Sequence, residues 1–514
     1  MTAPVGLAFR GNPDDLRVTA TGVGHQARGC PARLWADSRP GIRPDLTDWW
    51  WRREPWPFLL GRVADAVTVA DRTGEPPDVD LAGLHPGVAA FVRHAVDSYL
   101  EASAGRRTEL GVDLAPADDR VIDTPGRELR GWALGYDSPD RSVREVRRLR
   151  LRSVAESAGG RPDAADDLAW AAVAAKLAVD GRRTGGAGPD PEPARVLIVE
   201  IGLADGSSRV VFDGDSAAAR RSYDNLARPR ITAAMSDVRF RPGRDCAGCR
   251  WVAACPALPR VRGLLGLPGH GVMTRSVSAS DLDQYARCPA RYFLSRVAHL
   301  PAEPVELAGP ARGLAAHQWL AAQHSRPGAA ACTPAELPDD RLDLAILEAR
   351  PYLENHIGQC PLGFDGLESV VAEPPIYVYD PDADVVVAAS PDLTFTTGNG
   401  PVWRETKTTA AAPPIDERDA LDAYPAVALD IVLLAETSRG IGGEPVGLVE
   451  LEILTPQSGV VHVYDVADPV TLAVARRQVG EAAYAWHTDL EFTARPGSGC
   501  PHCPVRRWCP HGTV

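Results

Sequence analysis

Residues 390–409, SPDLTFTTGNGPVWRETKTT, place two carboxylates and a lysine close together in a chain of 514 residues. Alternating residues in DLTFT and PVWRETKT predict two strands, and Thr-Gly-Asn-Gly predicts the hairpin turn between them. Glu405 and Lys407 then share one strand face, and pairing could bring Asp392 opposite Glu405. Carboxylates suit Mg²⁺ or Mn²⁺, which activates bound water and stabilises charge on a phosphate, while a lysine orients the nucleophile or stabilises that charge. Taken alone, the pattern also fits a solvated strand face.

Lysine is rare in this protein, since Lys176 and Lys407 are the only lysines among 55 lysine and arginine residues. Abundant arginine, alanine, glycine and proline indicate a coding bias against lysine. Arginine can replace lysine in most surface roles but not in every chemical one. The presence of Lys407 beside two carboxylates therefore favours a chemical role for that residue.

The cysteines follow a rule that occurs twice and accounts for eight of the ten. A single cysteine in a Cys-Pro-Ala-Arg segment is followed, more than two hundred residues later, by a C-x2-C-x5-C triplet that ends in Cys-Pro. Four such thiolates could hold a zinc ion or an iron–sulfur cluster, and buried free thiols are the alternative that repeated spacing disfavours. The two sets are Cys30, Cys246, Cys249 and Cys255, and Cys288, Cys500, Cys503 and Cys509. Cys332 and Cys360 have no counterparts and are expected to be ordinary core or surface thiols.

An internal repeat accompanies the cysteines. Residues 446–465 and 196–215 both read as two alternating strands around a Gly/Ser turn, and each is followed by a helical stretch, Arg-Pro-Gly and a cysteine triplet. We therefore predict two tandem copies of one α/β domain, at 1–262 and 275–514, joined by a linker at 263–274. A single large domain without a repeat is the alternative.

The bulk properties are those of a globular protein with 45% hydrophobic and 24% charged residues. A formal net charge of −13 argues against non-specific wrapping of duplex DNA but leaves room for a local basic channel. The N-terminal residues do not resemble a signal peptide, and no apolar run is long enough to cross a membrane. A cytoplasmic location is expected, where reduced thiols favour metal binding over disulfides.

The C-terminal half resembles a known family in the order of its motifs. SASDLDQYARCPARYFL (278–294), a helix bearing His317, SPD…ETKT and the final C-x2-C-x5-C are together similar to the PD-(D/E)XK nuclease superfamily. More narrowly, they resemble its iron–sulfur branch, which includes CRISPR-associated exonucleases and the nuclease domains of RecB-like helicase–nucleases. The resemblance implies two restriction-endonuclease-like domains, each with a central mixed sheet flanked by helices and closed by a four-cysteine cluster, of the [4Fe–4S] type or, alternatively, zinc.

The resemblance also implies roles for individual residues. Asp392, Glu405 and the Thr406 carbonyl would bind catalytic Mg²⁺ or Mn²⁺, Lys407 would assist the attacking water, and His317 would complete the metal site. Without the resemblance, His317 reads as an ordinary histidine of an amphipathic helix. Two further positions are noted: Glu373 would match an acidic residue of the preceding strand, and the Gln-x3-Tyr motif of the family is incomplete here, with Ala420 and Tyr424.

The N-terminal half aligns with these motifs but lacks their chemistry. The alignment places Phe91 at the position of His317, Ala133 (or Asp137) at that of Asp392, Glu145 at that of Glu405 and Arg147 at that of Lys407. Arginine stays charged and cannot act as a tunable base. We therefore predict that this half keeps the fold and the cluster but not the catalysis.

Two segments of the N-terminal half carry aromatic or basic residues that could contact nucleic acid. DWWWRREPW (48–56) could stack bases of a single strand, or it could be buried against the other domain. RSVREVRRLRLRS (141–153) could form a phosphate track, or it could be a solvated strand edge.

These features together predict a divalent-metal-dependent DNA nuclease that is catalytic only in its second half. The resemblance implies single-stranded or end-bearing DNA as substrate, and a helicase or repair and defence proteins as partners. No G-x4-G-K-[ST] segment occurs, so ATP-driven unwinding would come from another protein. The alternative is a non-cleaving nucleic-acid-binding or scaffold subunit of a helicase–nuclease complex.

Overall fold

The structure is a computed structural model that describes residues 7–9, 12, 14–24, 29–44, 58–75, 77–155, 164–185, 190–267, 269, 275–305, 308–326, 328, 330–338, 344–364, 366–413, 416–440 and 443–512. The tryptophan-rich segment at 48–56 lies outside these residues. Among the helices described, none is both long enough and apolar enough to span a membrane.

The N-terminal half contains short helices near its start and a mixed sheet in its middle. Its helices are α1 (Ala20–Gly24), α2 (Pro31–Asp37), α3 (Leu59–Thr73), α4 (Pro86–Leu110), α5 (Ala164–Asp180), α6 (Ser216–Ser222) and α7 (Arg228–Ser236). Its strands are β1 (Leu7–Phe9), β2 (Leu16–Thr19), β3 (Ile42–Pro44), β4 (Ala115–Ala117), β5 (Arg120–Thr124), β6 (Arg127–Arg130), β7 (Leu134–Asp137), β8 (Val143–Arg150), β9 (Arg182–Arg183), β10 (Arg195–Gly202) and β11 (Ser208–Gly214).

The C-terminal half has the same kinds of element. Its strands are β12 (Arg275–Val277), β13 (Glu368–Ala372), β14 (Ile376–Asp380), β15 (Val385–Ala389), β16 (Leu393–Thr397), β17 (Gly400–Thr408), β18 (Leu448–Leu454) and β19 (Gly459–Asp465). Its helices are α8 (Ala279–Arg287), α9 (Pro289–Tyr292), α10 (Ala308–His324), α11 (Leu344–Ile357), α12 (Glu417–Ala423), α13 (Ala426–Thr437) and α14 (Pro469–Thr488).

One five-stranded sheet in each half has the same strand order and the same strand directions. The N-terminal order is β11-β10-β8-β7-β4, and the C-terminal order is β19-β18-β17-β16-β13. In both sheets the only parallel neighbours are the second and third strands, β10 with β8 and β18 with β17. Both predicted hairpins, β10–β11 and β18–β19, are confirmed. Parallel strands need a helical crossover, which α5 supplies in one half and α12 with α13 in the other.

The apolar residues explain which elements lie at the centre. Helix α13, AVALDIVLLAET, is apolar around most of its circumference and is buried from Val427 to Ala435. Strand β10 is buried along its length after Arg195, as expected for a strand covered on both faces. These elements place the parallel strand pairs at the interior of each sheet.

The two halves share one hydrophobic core. A single cluster of buried side chains joins Phe91 and Leu197 of the N-terminal half to Leu451 and Trp486 of the C-terminal half. The start of the predicted linker is also fixed, because the buried Asp380 carboxylate accepts hydrogen bonds from the amides of Gly263 and Leu265, each at 3.0 Å. Residues 263–267 therefore pack against the second half.

Candidate active site

The hairpin of β16 and β17 positions the two carboxylates. Leu393 pairs with Arg404, so Asp392 stands immediately before β16 and opposite Glu405. Gly400 has a φ of 111°, a backbone conformation that strongly favours glycine, and it ends the turn. The two strands and the turn expected from residues 390–409 are thus confirmed.

Four predicted side chains meet at the end of this hairpin. His317 Nδ1 lies 2.9 Å from Asp392 Oδ1, and the Thr406 amide donates a 2.7 Å hydrogen bond to Asp392 Oδ2. Lys407 Nζ donates a 2.6 Å hydrogen bond to Glu405 Oε2. Helix α10 carries His317 across the sheet, which is how a residue 75 positions earlier in the chain contacts Asp392. The cluster joins one cation, two carboxylates and an imidazole.

The cluster is half-buried and open to solvent on one side. The exposed fractions of the side chains are 26% for His317, 19% for Asp392, 30% for Lys407 and 12% for Glu405. A substrate can therefore reach the site from its open side, while the opposite side of the cluster is shielded from water. Electrostatic interactions at such a position are stronger than at a fully solvated surface.

The charges stabilise one another. Although burial opposes it, the hydrogen bond from His317 and the charge of Lys407 lower the pKa of Asp392. The hydrogen bond to Asp392 raises the pKa of His317. Burial lowers the pKa of Lys407, but the carboxylates of Glu405 and Asp392 outweigh that effect and raise it overall. The two carboxylates therefore favour the protonated, cationic form of Lys407.

A chain of buried hydrogen bonds holds strand β17 in place at Thr406. Thr406 Oγ1 donates to Glu452 Oε2 at 2.9 Å, and the same carboxylate accepts from His356 Nδ1 at 2.8 Å. Glu452 and His356 are almost completely buried. This chain fixes Thr406, the residue between Glu405 and Lys407, through groups on β18 and α11.

Sequence reasoning missed one acidic residue of the site. Asp430 on α13 is buried and interacts electrostatically with Glu405, Lys407 and Asp392, and burial raises its pKa well above the usual carboxyl value. Tyr424, at the end of α12, is near enough to Lys407 for that charge to act on its phenol. A buried aspartate in an otherwise apolar helix was the available signal for Asp430.

Glu373 contacts the site through its backbone only. It has a φ of 48°, and its amide donates a 3.2 Å hydrogen bond to the carbonyl oxygen of Asp392. Its side chain is exposed. The structure therefore brings Glu373 next to Asp392 but does not place its carboxylate in the cluster.

Comparison with known proteins identifies the region that contains this cluster. Residues 276–510 match the family model of the PD-(D/E)XK nuclease superfamily. This segment is a PD-(D/E)XK nuclease superfamily domain. Members of the superfamily are generally phosphodiester-cleaving nucleases that typically use divalent metal ions.

Other comparisons add little. A solved structure described as "Crystal structure of SSO0001" is 13% identical, covering 46% of this chain and 87% of that chain, with a TM-score of 0.25. No curated protein matches the chain.

The N-terminal half has a different set of residues at the corresponding strand pair. Tyr136, and not Ala133, is opposite Glu145 in the pairing of β7 with β8, and Asp137 pairs with Arg144. The alignment made from the sequence was wrong here by three residues. Phe91 packs edge-on against Trp508 of the PD-(D/E)XK domain, with ring centroids 5.0 Å apart.

A closed network surrounds Glu145. Arg147 Nε donates to Glu145 Oε1 at 2.6 Å, and Arg106 donates to Oε2 at 2.8 Å. The other end of Arg147 donates to the hydroxyls of Tyr99 and Ser103 at 2.9 and 2.8 Å. Arg147 and Glu145 are fully buried. Both oxygens of the carboxylate are therefore paired with guanidinium groups.

The arginine-rich strand at 141–153 is neither a phosphate track nor a sheet edge. It forms β8, the middle strand of its sheet. Arg144 and Arg147 are buried, and Arg148 donates to Asp167 and Glu200 at 3.0 and 3.2 Å. The charges of these three arginines are therefore directed into the protein.

Each predicted set of four cysteines lines one cavity. The first set surrounds a cavity at the N-terminus of α2, and the second surrounds one at the N-terminus of α9. In both triplets a glycine amide of the Arg-Pro-Gly segment donates to the first cysteine sulfur at 3.3 Å, from Gly243 to Cys246 and from Gly497 to Cys500. All eight thiols are free.

Cys332 and Cys360 are not ordinary isolated thiols. Both are buried, and with His324 and His356 they form a group in which one sulfur or nitrogen atom of each residue lies within 4.8 Å of the others. Such a group could bind a metal ion. Sequence reasoning missed this group, because its spacing, with one histidine before each cysteine at unequal distances, fits no familiar metal motif.

Proposed function

We propose that this protein is a divalent-metal-dependent DNA nuclease whose C-terminal domain hydrolyses phosphodiester bonds. The contact of His317 with Asp392, beside the pair of Glu405 and Lys407, is the observation that carries the proposal. These groups lie in the segment that matches a nuclease superfamily. Single-stranded or end-bearing DNA is the proposed substrate, and a separate helicase or repair and defence proteins are the proposed partners.

The donor atoms present fit a divalent metal ion. Asp392 Oδ1 and His317 Nδ1 are 2.9 Å apart. Adjacent ligands of an octahedral Mg²⁺ ion at about 2.1 Å are about 3 Å apart, so both atoms could bind one ion with little movement once His317 Nδ1 has released its proton to solvent. Glu405 and the Thr406 carbonyl would be the further protein ligands. A bound ion would supply an activated water and would stabilise negative charge on the phosphate.

The side chains of the domain do the remaining work. Lys407, held protonated by Glu405 and Asp392, places a positive charge where the phosphate and its attacking water would lie. The Thr406 amide fixes the rotamer of Asp392, and Glu452 holds Thr406 in turn. Asp392 and Thr406 are thus held in position before substrate binds, which reduces the reorganisation needed during the reaction.

We infer that the N-terminal half is a tandem copy that binds DNA or braces the active domain. The identical strand order and directions of the two five-stranded sheets support the duplication. The closed network around Glu145 supports the loss of catalysis, because two guanidinium groups occupy the carboxylate. The shared hydrophobic core supports a bracing role.

A cleavage assay with the full chain tests the nuclease. We expect labelled single-stranded or end-bearing duplex DNA to be cut in the presence of Mg²⁺ or Mn²⁺ and to remain intact with EDTA. Replacing Asp392 with alanine should abolish cleavage and weaken Mn²⁺ binding measured by calorimetry. If neither metal supports cleavage of any DNA, the protein is instead a non-cleaving scaffold or binding subunit.

We also propose that each set of four cysteines binds an iron–sulfur cluster, of the [4Fe–4S] type, with zinc as the alternative. Anaerobically purified protein should then be brown and contain about eight iron atoms per chain. The matched double variants Cys246→Ser/Cys249→Ser and Cys500→Ser/Cys503→Ser should each lose half of the iron. A colourless protein whose eight cysteines hold zinc would refute the iron–sulfur assignment.

A further inference from the structure

A second group of metal-binding side chains lies apart from the cluster at Asp392. His324 ends α10, Cys332 lies in the segment after it, His356 is in the last turn of α11, and Cys360 follows α11. All four residues are buried. The packing of α10 against α11 brings together two pairs that are separated by more than twenty residues in the chain.

The distances from His324 to the two sulfurs are close to those of a tetrahedral zinc site. His324 Nε2 lies 3.5 Å from the Cys332 sulfur and 3.8 Å from the Cys360 sulfur. A zinc ion with Zn–S bonds of about 2.3 Å and Zn–N bonds of about 2.0–2.1 Å separates adjacent sulfur and nitrogen ligands by about 3.6 Å. The observed distances are close to this value.

The orientation of His356 is an independent observation. Its Nδ1 is hydrogen-bonded to the Glu452 carboxylate at 2.8 Å, while its buried Nε2 makes no hydrogen bond of normal geometry and interacts with Cys360, another member of the group. Metal-bound histidines commonly donate their second ring N–H to a carboxylate in this way. A buried nitrogen without a well-formed hydrogen bond is costly unless something binds it. The arrangement directs Nε2 towards the other members of the group, where a metal ion would bind.

We propose that His324, Cys332, His356 and Cys360 bind a structural Zn²⁺ ion. Two thiolates and two neutral imidazoles at tetrahedral spacing are typical of zinc, and binding would release the two thiol protons. A two-iron cluster with two cysteines and two histidines places each pair on a different iron. Its ligand atoms would therefore span more than the 4.8 Å found here.

The zinc ion would connect the helices to the strand that carries Glu405 and Lys407. It would pin the end of α10, the helix that bears His317, against α11. Through His356 and Glu452 it would also fix the hydroxyl of Thr406. The inference does not depend on DNA cleavage, because zinc binding is measured separately from activity.

Metal analysis of the full chain tests the proposal. We expect wild-type protein, purified under reducing conditions and dialysed against EDTA, to retain at least one zinc ion per chain by mass spectrometry. The Cys332→Ser/Cys360→Ser variant should contain one zinc fewer, with unchanged iron and a lower Tm. The matched control His462→Asn, a buried histidine of β19 outside the group, should keep its zinc.

Several results would overturn the zinc site. Equal zinc in wild type and the double variant, iron or copper in place of zinc, or a Cys332–Cys360 disulfide in the purified wild type would each do so. If the double variant does not fold, the zinc K-edge absorption spectrum of the wild type tests the site instead, because it shows which atoms bind the zinc. A shell of nitrogen and sulfur supports the site, whereas no zinc, or zinc bound by sulfur alone, refutes it.

Discussion

Replacing Lys407 with alanine is expected to reduce DNA cleavage by about 10²–10⁴-fold, with the rate compared at saturating Mg²⁺ or Mn²⁺. The ammonium group lies 2.6 Å from Glu405, in the half-buried cluster that also contains Asp392 and His317. Its removal takes away the one lysine cation described at this site. Because arginine is bulkier and forked, Lys407→Arg should restore only part of the rate.

The chain offers a matched control for this experiment. Lys176, the only other lysine, lies on α5 and pairs with Asp180 at its i+4 position. Lys176→Ala should leave cleavage unchanged, since the residue is in the N-terminal half and far in sequence from the cluster. Circular dichroism should show that both variants are folded. Equal cleavage by wild type and Lys407→Ala would refute the active-site assignment.

Replacing Arg147 with methionine is expected to destabilise the protein by about 3–5 kcal/mol, because it leaves the buried Glu145 without one of its two cations. Tyr99 and Ser103 would lose a donor as well, since Arg147 donates to both hydroxyls. Urea unfolding of the full chain, followed by tryptophan fluorescence, measures the change. Cleavage per folded molecule should be unaffected, because this network belongs to the half that we propose is not catalytic.

Two further variants serve as controls for Arg147→Met. Arg239→Met removes an exposed arginine that pairs with Asp237, and it should not change the unfolding midpoint measurably. The double variant Glu145→Gln/Arg147→Met should be less destabilised than the sum of the two single variants, because each change removes the partner of the other. A stable Arg147→Met protein with impaired cleavage would contradict the bracing role of this half.

The sequence by itself identified the hairpin that carries Asp392, Glu405 and Lys407. Alternation with a period of two and a Gly-Asn-Gly turn are local features, and they determine which side chains share a face. The order of motifs around them also located the nuclease superfamily segment, which the family match at 276–510 bears out. The repeated cysteine spacing and the two hairpins at 196–215 and 446–465 could be predicted for the same reason, because they too are local sequence patterns.

Other features depended on tertiary structure. The pairing of Tyr136 with Glu145 was misread by three residues, because strand register depends on packing and not on the composition of one strand. The arginines of β8 suggested an exposed surface, yet Arg144 and Arg147 are buried, and Arg148 donates to carboxylates of neighbouring elements. In the sequence, Asp430 is one polar residue in an apolar helix. Only the packing of α13 beside Glu405 shows that Asp430 belongs to the site.

Local sequence patterns thus determined the hairpin of β16 and β17, while the packing of distant elements decided what surrounds it. The group of His324, Cys332, His356 and Cys360 shows the difference most clearly. Its members lie on two helices and the segments that follow them, and only the contact of α10 with α11 brings their donor atoms within 4.8 Å. A pattern within one element reports the faces of that element, whereas contacts between elements are set by the whole core and leave no local signature.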